Sequence, residues 1–191
     1  MRGRAALAAG LLAALAAGTG AAAGQTLPSD AASGKPLPPF VLPDLEGRSV
    51  GPPTFEGRSP VLVVFIKGTW CPHCVDLLIE LEKLKATDLA GVPVLVVSPQ
   101  PAPQTVQFIV RLEADRGIRL SHRFLTDSAL RFAPRYGLAR EISGRQGRPA
   151  NVLYLDRGGR LVWSSSGGHD RSVPVGPSLH QRLEEVRAMK P

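Results

Sequence analysis

Residues 60–74 read PVLVVFIKGTWCPHC, and this stretch decides the fold. Residues 61–66 form a continuous apolar run rich in β-branched side chains, which is typical of a strand buried on both faces of a sheet. The run ends before Gly68, and Cys71 and Cys74 follow within a few residues. The stretch therefore predicts a buried strand that leads directly into a Cys-Pro-His-Cys motif.

An amphipathic helix is predicted directly after the cysteines. Apolar residues recur there at helical spacing, and charged residues occupy the opposite face. The apolar set is Val75, Leu77, Leu78, Leu81 and Leu84, and the charged set is Asp76, Glu80, Glu82, Lys83 and Lys85. Cys71 then lies at the first helical turn, with Cys74 one turn further on the same face.

Strands and helices alternate along the rest of the chain. A hairpin turning at Glu46-Gly47 precedes the cysteine region, and a second apolar strand is predicted over residues 92–97. A helix with apolar positions at Val106, Ile109, Val110 and Leu112 follows. A short strand at 124–125, a short helix over 128–136, a hairpin of 152–155 with 161–163, and a helix over 178–189 complete the pattern. The β-α-β order implies an open sheet with right-handed crossovers.

The N-terminal region has the composition of a targeting segment. Residues 1–24 combine two arginines, an Ala/Leu-rich run and small residues, which is the pattern of a secretory signal peptide. The run is shorter than the roughly 20 residues that span a bilayer, so an uncleaved anchor is the weaker interpretation. Residues 25–38 read as a flexible leader and residues 39–191 as one domain. We expect a periplasmic or secreted protein with no stable membrane span after cleavage.

The charge of the chain limits its partners. The formal net charge is +7, and the basic residues are dispersed rather than gathered into a stripe interleaved with aromatic residues. Such a pattern is typical of a solvated surface. We therefore exclude nucleic acid as a partner, whereas acidic or neutral protein partners are compatible with the charge.

Cys71 and Cys74 are the only cysteines among 191 residues. Disulfide exchange requires a thiolate. The N-terminus of a helix favours that anion, because its free N–H groups and dipole point at the sulfur. Pro72 suits the first helical turn, and His73 adds a polar or cationic neighbour. Cys71 is then the candidate nucleophile and Cys74 the resolving thiol, and the two would form a redox-active disulfide.

Two other uses of the cysteines are weaker. A purely structural disulfide would close a four-residue ring, for which the chain-entropy model gives about 2 kcal/mol against about 3 kcal/mol for a fifteen-residue loop. A structural zinc site needs four ligands. The chain has no second cysteine pair, and His122, His169 and His180 are not spaced as ligands. We expect no metal at this site.

The chain resembles the thioredoxin superfamily, in the branch of TlpA/ResA-like and AhpC/TSA (peroxiredoxin-like) redoxin domains. The similarity covers nearly the whole domain and is carried by residues 39–47, 61–74, 124–127 with 136–138, and 148–160. It implies an α/β thioredoxin-like fold, with a central mixed β-sheet flanked by helices and an N-terminal β-hairpin extension.

The resemblance also implies roles for residues around the cysteines. Pro149 would be a cis-proline beside Cys71, leaving the backbone of Arg148 free to pair with a substrate strand. Trp70 would flank the nucleophile and shape the docking surface. The 65–71 stretch is one residue longer than usual, which favours the peroxiredoxin-like branch. The acidic residue expected three positions after Cys74 is Leu77, so Asp76 or Glu80 would have to accept its proton unless both are ordinary surface residues.

The expected function is thiol:disulfide exchange with protein substrates outside the cytoplasm. No cofactor is expected, and a separate membrane or soluble redox partner would recycle the dithiol. A thiol peroxidase is an alternative, although peroxiredoxins carry Thr or Ser three residues before the nucleophile and this chain carries Gly68. A redox-gated binding module or metallochaperone is the other alternative.

Overall fold

A computed structural model describes residues 38–132, 151–166 and 177–188. The described residues form seven strands, three α-helices and one short 3-10 helix, Pro52–Thr54. The strands are β1 Leu42–Pro43, β2 Ser49–Val50, β3 Val61–Phe65, β4 Val94–Ser98, β5 Arg123–Thr126, β6 Asn151–Leu155 and β7 Leu161–Ser166. The helices are α1 Pro72–Leu84, α2 Ala102–Arg116 and α3 Pro177–Ala188. The predicted signal peptide and nearly all of the predicted leader lie outside the described residues.

The central sheet is mixed and has the order β5-β4-β3-β6-β7. Strands β3, β4 and β5 run parallel, whereas β6 is antiparallel to both β3 and β7. Strand β3 is therefore the middle strand, and the direction of pairing changes at it. The predicted α/β thioredoxin-like fold with a mixed central sheet is confirmed.

The sheet has a hydrophobic core on each face, and successive side chains of β3 point alternately into the two cores. Leu62 and Val64 belong to the core that contains leucines of α1, α2 and α3. Val61, Val63 and Phe65 belong to the second core on the opposite face. All five residues of β3 and all five of β4 are buried. This explains why both strands appear in the sequence as unbroken apolar runs.

The predicted N-terminal hairpin is present as β1 paired antiparallel with β2. Gly47 adopts a left-handed φ of 81° in the turn, a conformation that glycine reaches without steric cost. The buried Asp44 carboxylate accepts the N–H groups of Glu46 and Arg48 at 3.0 and 2.9 Å and the Arg48 Nε–H at 2.9 Å. Burial alone would raise the pKa of Asp44, but these bonds hold it below its usual value.

Helix α1 is also fastened at its far end to the segment before β5. The Nε2–H of buried His122 donates to the Leu78 carbonyl at 2.9 Å and lies 3.4 Å from a carboxylate oxygen of Glu82. The Ser121 N–H donates to Glu82 at 2.8 Å. Burial holds the pKa of His122 below its usual value, against the opposing influence of the Leu78 carbonyl and Glu82. His122 is therefore a neutral crosslink between α1 and β5.

Helix α2 is confirmed and Leu112 is buried as predicted, but the rest of its buried face differs from the predicted one. Val106 and Val110 are 41% and 60% exposed. The buried positions are Thr105 and Leu112. Thr105 is tolerated inside because its hydroxyl has two partners within reach, Ser98 Oγ at 3.0 Å and the Pro101 carbonyl oxygen at 3.3 Å.

The helix predicted over residues 128–136 does not begin as predicted. Residues 128–129 form a turn, and Leu130 has a left-handed φ of 55°. The Asp127 carboxylate accepts the N–H groups of Arg131 and Phe132 at 2.9 and 3.2 Å. The side chain of Asp127 thus takes backbone donors that a continuing helix would need. Residues 133–136 lie outside the described part.

The remaining predicted elements are present. The hairpin of β6 and β7 turns at Gly158-Gly159, and α3 spans Pro177–Ala188. Leu179 and Leu183 of α3 pack into the same core as α1. Among the helices that the structure describes, none has the length and apolar character needed to cross a bilayer.

Candidate active site

Cys71 lies at the junction between the central strand β3 and helix α1. After β3 the chain turns through residues 66–70, and Cys71 is the N-cap residue with extended backbone angles of −86° and 111°. Its carbonyl accepts the N–H groups of Cys74 and Val75 at 3.0 and 3.1 Å. Pro72 occupies the first helical position, as predicted. The positive end of the helix dipole therefore faces the Cys71 region.

The two cysteines form a buried pair of free thiols. Cys71 is 3% exposed and Cys74 is 1% exposed. Burial, together with the hydrogen bond and proximity to Cys71, raises the pKa of Cys74 to about 12, although the backbone N–H groups of Lys67 and Gly68 oppose this shift. Cys74 is consequently a protonated thiol at neutral pH, in hydrogen-bond contact with Cys71.

The loop before Cys71 is held by a polar network at the end of strand β4. The Thr69 N–H donates to Gln100 Oε1 at 3.3 Å. Gln100 is itself fixed by two hydrogen bonds of 3.2 Å, one from its own N–H to Ser98 Oγ and one from the Ser98 hydroxyl to Gln100 Oε1. Ser98 bonds in turn to Thr105. This network links the cysteine loop to β4 and to helix α2.

Gly68 has a steric role in this loop. A Cβ atom at this position would lie 2.5 Å from Trp70 Nε1 and 2.8 Å from Gln100 Nε2. Both distances are shorter than van der Waals contact, so a larger residue here would have to displace the Trp70 ring and the Gln100 amide. The close approach sets where the chain enters the cysteine motif.

Sequence reasoning missed Ser98, Gln100 and Thr105. A signal was available, because parallel neighbouring strands end at the same edge of a sheet. Ser98 and Gln100 follow the apolar run of β4 and therefore had to lie beside the residues that follow β3. Thr105 is a polar residue on the buried side of α2, where it bonds Ser98.

The other predicted site residues fall into two groups. Trp70 is 62% exposed beside Cys71, and His73 is exposed on the first turn of α1. Arg148 and Pro149 lie outside the described residues. Asp76 is exposed, whereas Glu80 is partly buried and pairs with the exposed Lys83 at 3.5 Å.

A cavity of about 450 Å³ opens between the cysteine loop and helix α2. Thr69, Trp70 and Val75 line one side of it, and Phe108, Arg111 and Leu112 of α2 are among the residues on the other. Within residues 38–132, 151–166 and 177–188, no three histidine, cysteine or carboxylate side chains are grouped as a metal site would require.

A mixed sheet whose middle strand leads into a buried Cys-x-x-Cys pair at a helix N-terminus defines a thioredoxin-superfamily protein with a thiol-based redox function. The Redoxin family model matches residues 32–176. The chain belongs to the Redoxin family. Members of this family act on thiol or peroxide substrates together with redox partners.

Solved structures share this fold at low sequence identity. Peroxidoxin BcpB from Mycobacterium tuberculosis has a TM-score of 0.67 at 18% identity, covering 84% of this chain and 99% of its own. The reduced 2-Cys peroxiredoxin of Plasmodium vivax has a TM-score of 0.67 at 19% identity, with 83% and 96% covered. A Chlorobium tepidum protein assigned as the thiol:disulfide interchange protein DsbE has a TM-score of 0.59 at 19% identity, with 81% and 94% covered. A search of curated protein sequences finds no significant match.

Proposed function

We propose that this protein is an extracytoplasmic thiol:disulfide oxidoreductase that exchanges disulfides with protein substrates through Cys71 and Cys74. The observation that carries the proposal is the position of Cys71 at the N-cap of α1 with the Cys74 thiol hydrogen-bonded to it. A nucleophile and a resolving thiol in contact are what a two-step exchange requires.

The proposed reaction proceeds through a mixed disulfide. The Cys71 thiolate attacks one sulfur of a substrate disulfide, and the other substrate sulfur leaves as a thiolate that takes up a proton. Cys74 then loses its proton and attacks the Cys71 sulfur, which releases the second substrate thiol. Two electrons have passed from the dithiol to the substrate, and a Cys71–Cys74 disulfide remains. The same steps in reverse oxidise a substrate dithiol.

Cys74 is suited to remain unreactive during the first step. With its pKa raised to about 12, it does not compete with Cys71 as a nucleophile at neutral pH. Resolution then requires Cys74 to lose its proton before it attacks, and we assign that proton to solvent that reaches the site while the substrate is still bound as the mixed disulfide.

The surrounding residues are assigned supporting roles. Trp70 is exposed beside Cys71 and would contact the substrate, and His73 would tune the charge near the sulfur. Arg148 and Pro149 are proposed to form the loop whose backbone pairs with the substrate strand. A separate membrane or soluble protein would return the Cys71–Cys74 pair to its working state.

Export is proposed from the first 24 residues. Their basic start, apolar run and small residues fit a cleavable signal peptide, which would deliver the protein to the periplasm or the exterior. Expression of the full chain followed by fractionation and intact-mass measurement tests this. A periplasmic species shortened by about 24 residues supports export, and a full-length cytoplasmic species contradicts it.

A thiol peroxidase is the second candidate, because two of the three similar structures named above are described as peroxiredoxins or peroxidoxins. In that reaction Cys71 attacks a peroxide oxygen and becomes a sulfenic acid, and Cys74 condenses with it to form the disulfide and water. The crowding at Gly68 argues against it. A hydroxyl side chain at that position, where peroxiredoxins carry one, would meet Trp70 and Gln100.

The two candidates are separated by comparing two rates on the same reduced protein. We expect rapid second-order reaction with a peptide disulfide, and reaction with hydrogen peroxide at the rate of an ordinary thiol. Cys71→Ser should abolish the first reaction, and Cys74→Ser should stop it at a mixed disulfide. Fast oxidation by peroxide with peptide-disulfide exchange no faster than that of a free thiol would overturn the proposal in favour of the peroxidase.

A further inference from the structure

We propose that the groove between Trp70 and helix α2 binds a segment of the substrate polypeptide that carries an apolar side chain next to a carboxylate. This inference rests on the thiol:disulfide exchange function proposed above. The groove would select among protein substrates, whereas the cysteine pair alone would react with any accessible disulfide.

The groove adjoins the reacting sulfur through the chain itself. Thr69 and Trp70, which line it, are the two residues immediately before Cys71, and Val75 lines it one helical turn later. A substrate whose disulfide reaches Cys71 therefore presents its neighbouring residues to this surface. The volume of about 450 Å³ lies within the usual range for ligand sites, roughly 300–1,000 Å³.

The length of the groove suits an extended peptide better than a small thiol compound. Its α2 lining runs from Gln104 to Arg116. At about 1.5 Å per helical residue this is roughly 18 Å, the span of about five extended residues. The side-chain amides of Gln104 and Gln107 lie along this lining, and they offer both donors and acceptors to the backbone of such a segment.

The walls near the cysteine supply an apolar contact. Trp70 leaves 62% of its surface exposed, and the partly buried Phe108 lines the opposite side with Leu112. Tryptophan and other aromatic residues dominate the binding energy of many protein interfaces. An apolar substrate side chain between Trp70 and Phe108 would remove both from water.

The α2 side of the groove also carries positive charge. Arg111 and Arg116 line it together with one carboxylate, Asp115, which leaves a net charge of +1. Neither arginine makes an ion pair within the part of the chain that the structure describes. The whole chain also carries +7. These charges complement a carboxylate on the substrate and oppose a lysine at the same place.

The test uses short peptides with one cysteine capped as a mixed disulfide with 2-mercaptoethanol. A leucine is kept near the cysteine, and a glutamate or a lysine is placed in turn at each of four positions on either side. The rate of reaction with the reduced protein is compared with that of bis(2-hydroxyethyl) disulfide, a neutral probe too small to occupy the groove. The variant is Arg111→Gln with Arg116→Gln, and its matched control is Arg119→Gln, an exposed arginine that does not line the groove.

An exposed ion pair changes a binding constant by about 1.4- to 5-fold, so two arginines should give the best glutamate peptide a roughly 2- to 10-fold faster reaction than its lysine counterpart. The preference should vanish in 1 M salt and in the double variant, and persist in Arg119→Gln. Equal rates for all peptides, or the same loss in Arg119→Gln, would overturn the groove while leaving exchange intact. If the small neutral disulfide also failed to react, the proposed exchange function itself would be wrong.

Discussion

Replacing Gly68 by alanine perturbs the packing of the loop before Cys71 with one methyl group. The new Cβ would lie 2.5 Å from Trp70 Nε1 and 2.8 Å from Gln100 Nε2, whereas carbon contacts are normally about 3.5–4.0 Å. Gly68 does not have a left-handed φ, so alanine brings no backbone strain of its own. The whole effect should come from displacing the Trp70 ring and the Gln100 amide.

The magnitude follows from the bonds that Gln100 would lose. Moving its amide breaks the bonds from the Thr69 N–H and the Ser98 hydroxyl. At about 0.5–1.5 kcal/mol each, the loss is roughly 1–3 kcal/mol, which is also the usual cost of one extra methyl group in a packed site, about 1–3 kcal/mol. Alanine offsets about 0.4–1 kcal/mol of this by restricting the unfolded chain. We expect a net loss of about 1–2 kcal/mol.

Urea unfolding followed by far-UV circular dichroism measures this change. With a slope of about 1–3 kcal/mol per molar urea, the midpoint should fall by roughly 0.3–2 M. Exchange with a peptide disulfide should slow by at least about 3-fold, because an ångström of misplacement at a reacting group can cost up to about 10²-fold. The fluorescence of the reduced protein should also change, since Trp70 has to move.

Two further variants make the result decisive. Gly158→Ala is the matched control, because its Cβ would meet only Asp156 Oδ1 at 3.3 Å and it also lacks a left-handed φ. Its stability should not fall, and the same restriction of the unfolded chain should raise it by up to about 1 kcal/mol. Gln100→Ala in the Gly68→Ala background should lose less than the sum of the two single changes, since it removes one clashing partner. If Gly68→Ala matched Gly158→Ala in stability and exchange rate, the crowding argument would be refuted.

Three other predictions concern titratable groups. Because burial raises the pKa of Cys74 above its usual value, the rate at which it resolves a mixed disulfide on Cys71 should rise about tenfold per pH unit between pH 6 and 8 in stopped-flow fluorescence; a flat profile would argue for a nearby base. Burial holds the pKa of His122 below its usual value, so the unfolded chain takes up this proton first as pH falls below about 6.5. The free energy of unfolding should therefore decrease as pH falls, until the pKa of the folded protein is passed. His122→Gln should flatten the urea midpoint between pH 7 and 5, and an unchanged slope would show that His122 is not the cause. Asp44 has a lowered pKa despite its burial, through its bonds from Arg48, so its contribution is present above about pH 3.9 and is lost as pH falls through the folded value. Asp44→Asn should therefore lower the free energy of unfolding at pH 7 and reduce its loss below about pH 4. Acid titration followed by circular dichroism measures both, and an unchanged acid transition would contradict this role of Asp44.

The cysteine region was predictable because its signals are local. The apolar run of β3, the helical period of α1 and the spacing of Cys71 and Cys74 lie within one continuous segment. Each signal indicates the same strand-to-helix junction, and agreement between levels is what makes a sequence readable. The mixed sheet came from resemblance, since the pairing of β3 with β6 joins segments about 90 residues apart.

What sequence reasoning missed depends on contacts through space. Apolar periodicity placed Val106 and Val110 inside, but Thr105 takes the buried position because Ser98 satisfies its hydroxyl. The helix predicted to begin at residue 128 does not form there, because the Asp127 carboxylate accepts the N–H group of Arg131. The crowding over Gly68 is equally invisible in one dimension, because Gln100 approaches it from the end of another strand.

The most direct test of the central claim compares two single-cysteine proteins. Cys74→Ala retains only Cys71, and Cys71→Ala retains only Cys74. Each is mixed at pH 7 with the same peptide disulfide, and the adduct is followed by intact-mass spectrometry. We predict that Cys74→Ala gains the mass of one peptide half at least about 10²-fold faster than Cys71→Ala, because burial raises the pKa of the remaining Cys74 thiol and keeps it protonated. Equal rates, or faster capture on Cys74, would contradict the assignment of Cys71 as the nucleophile.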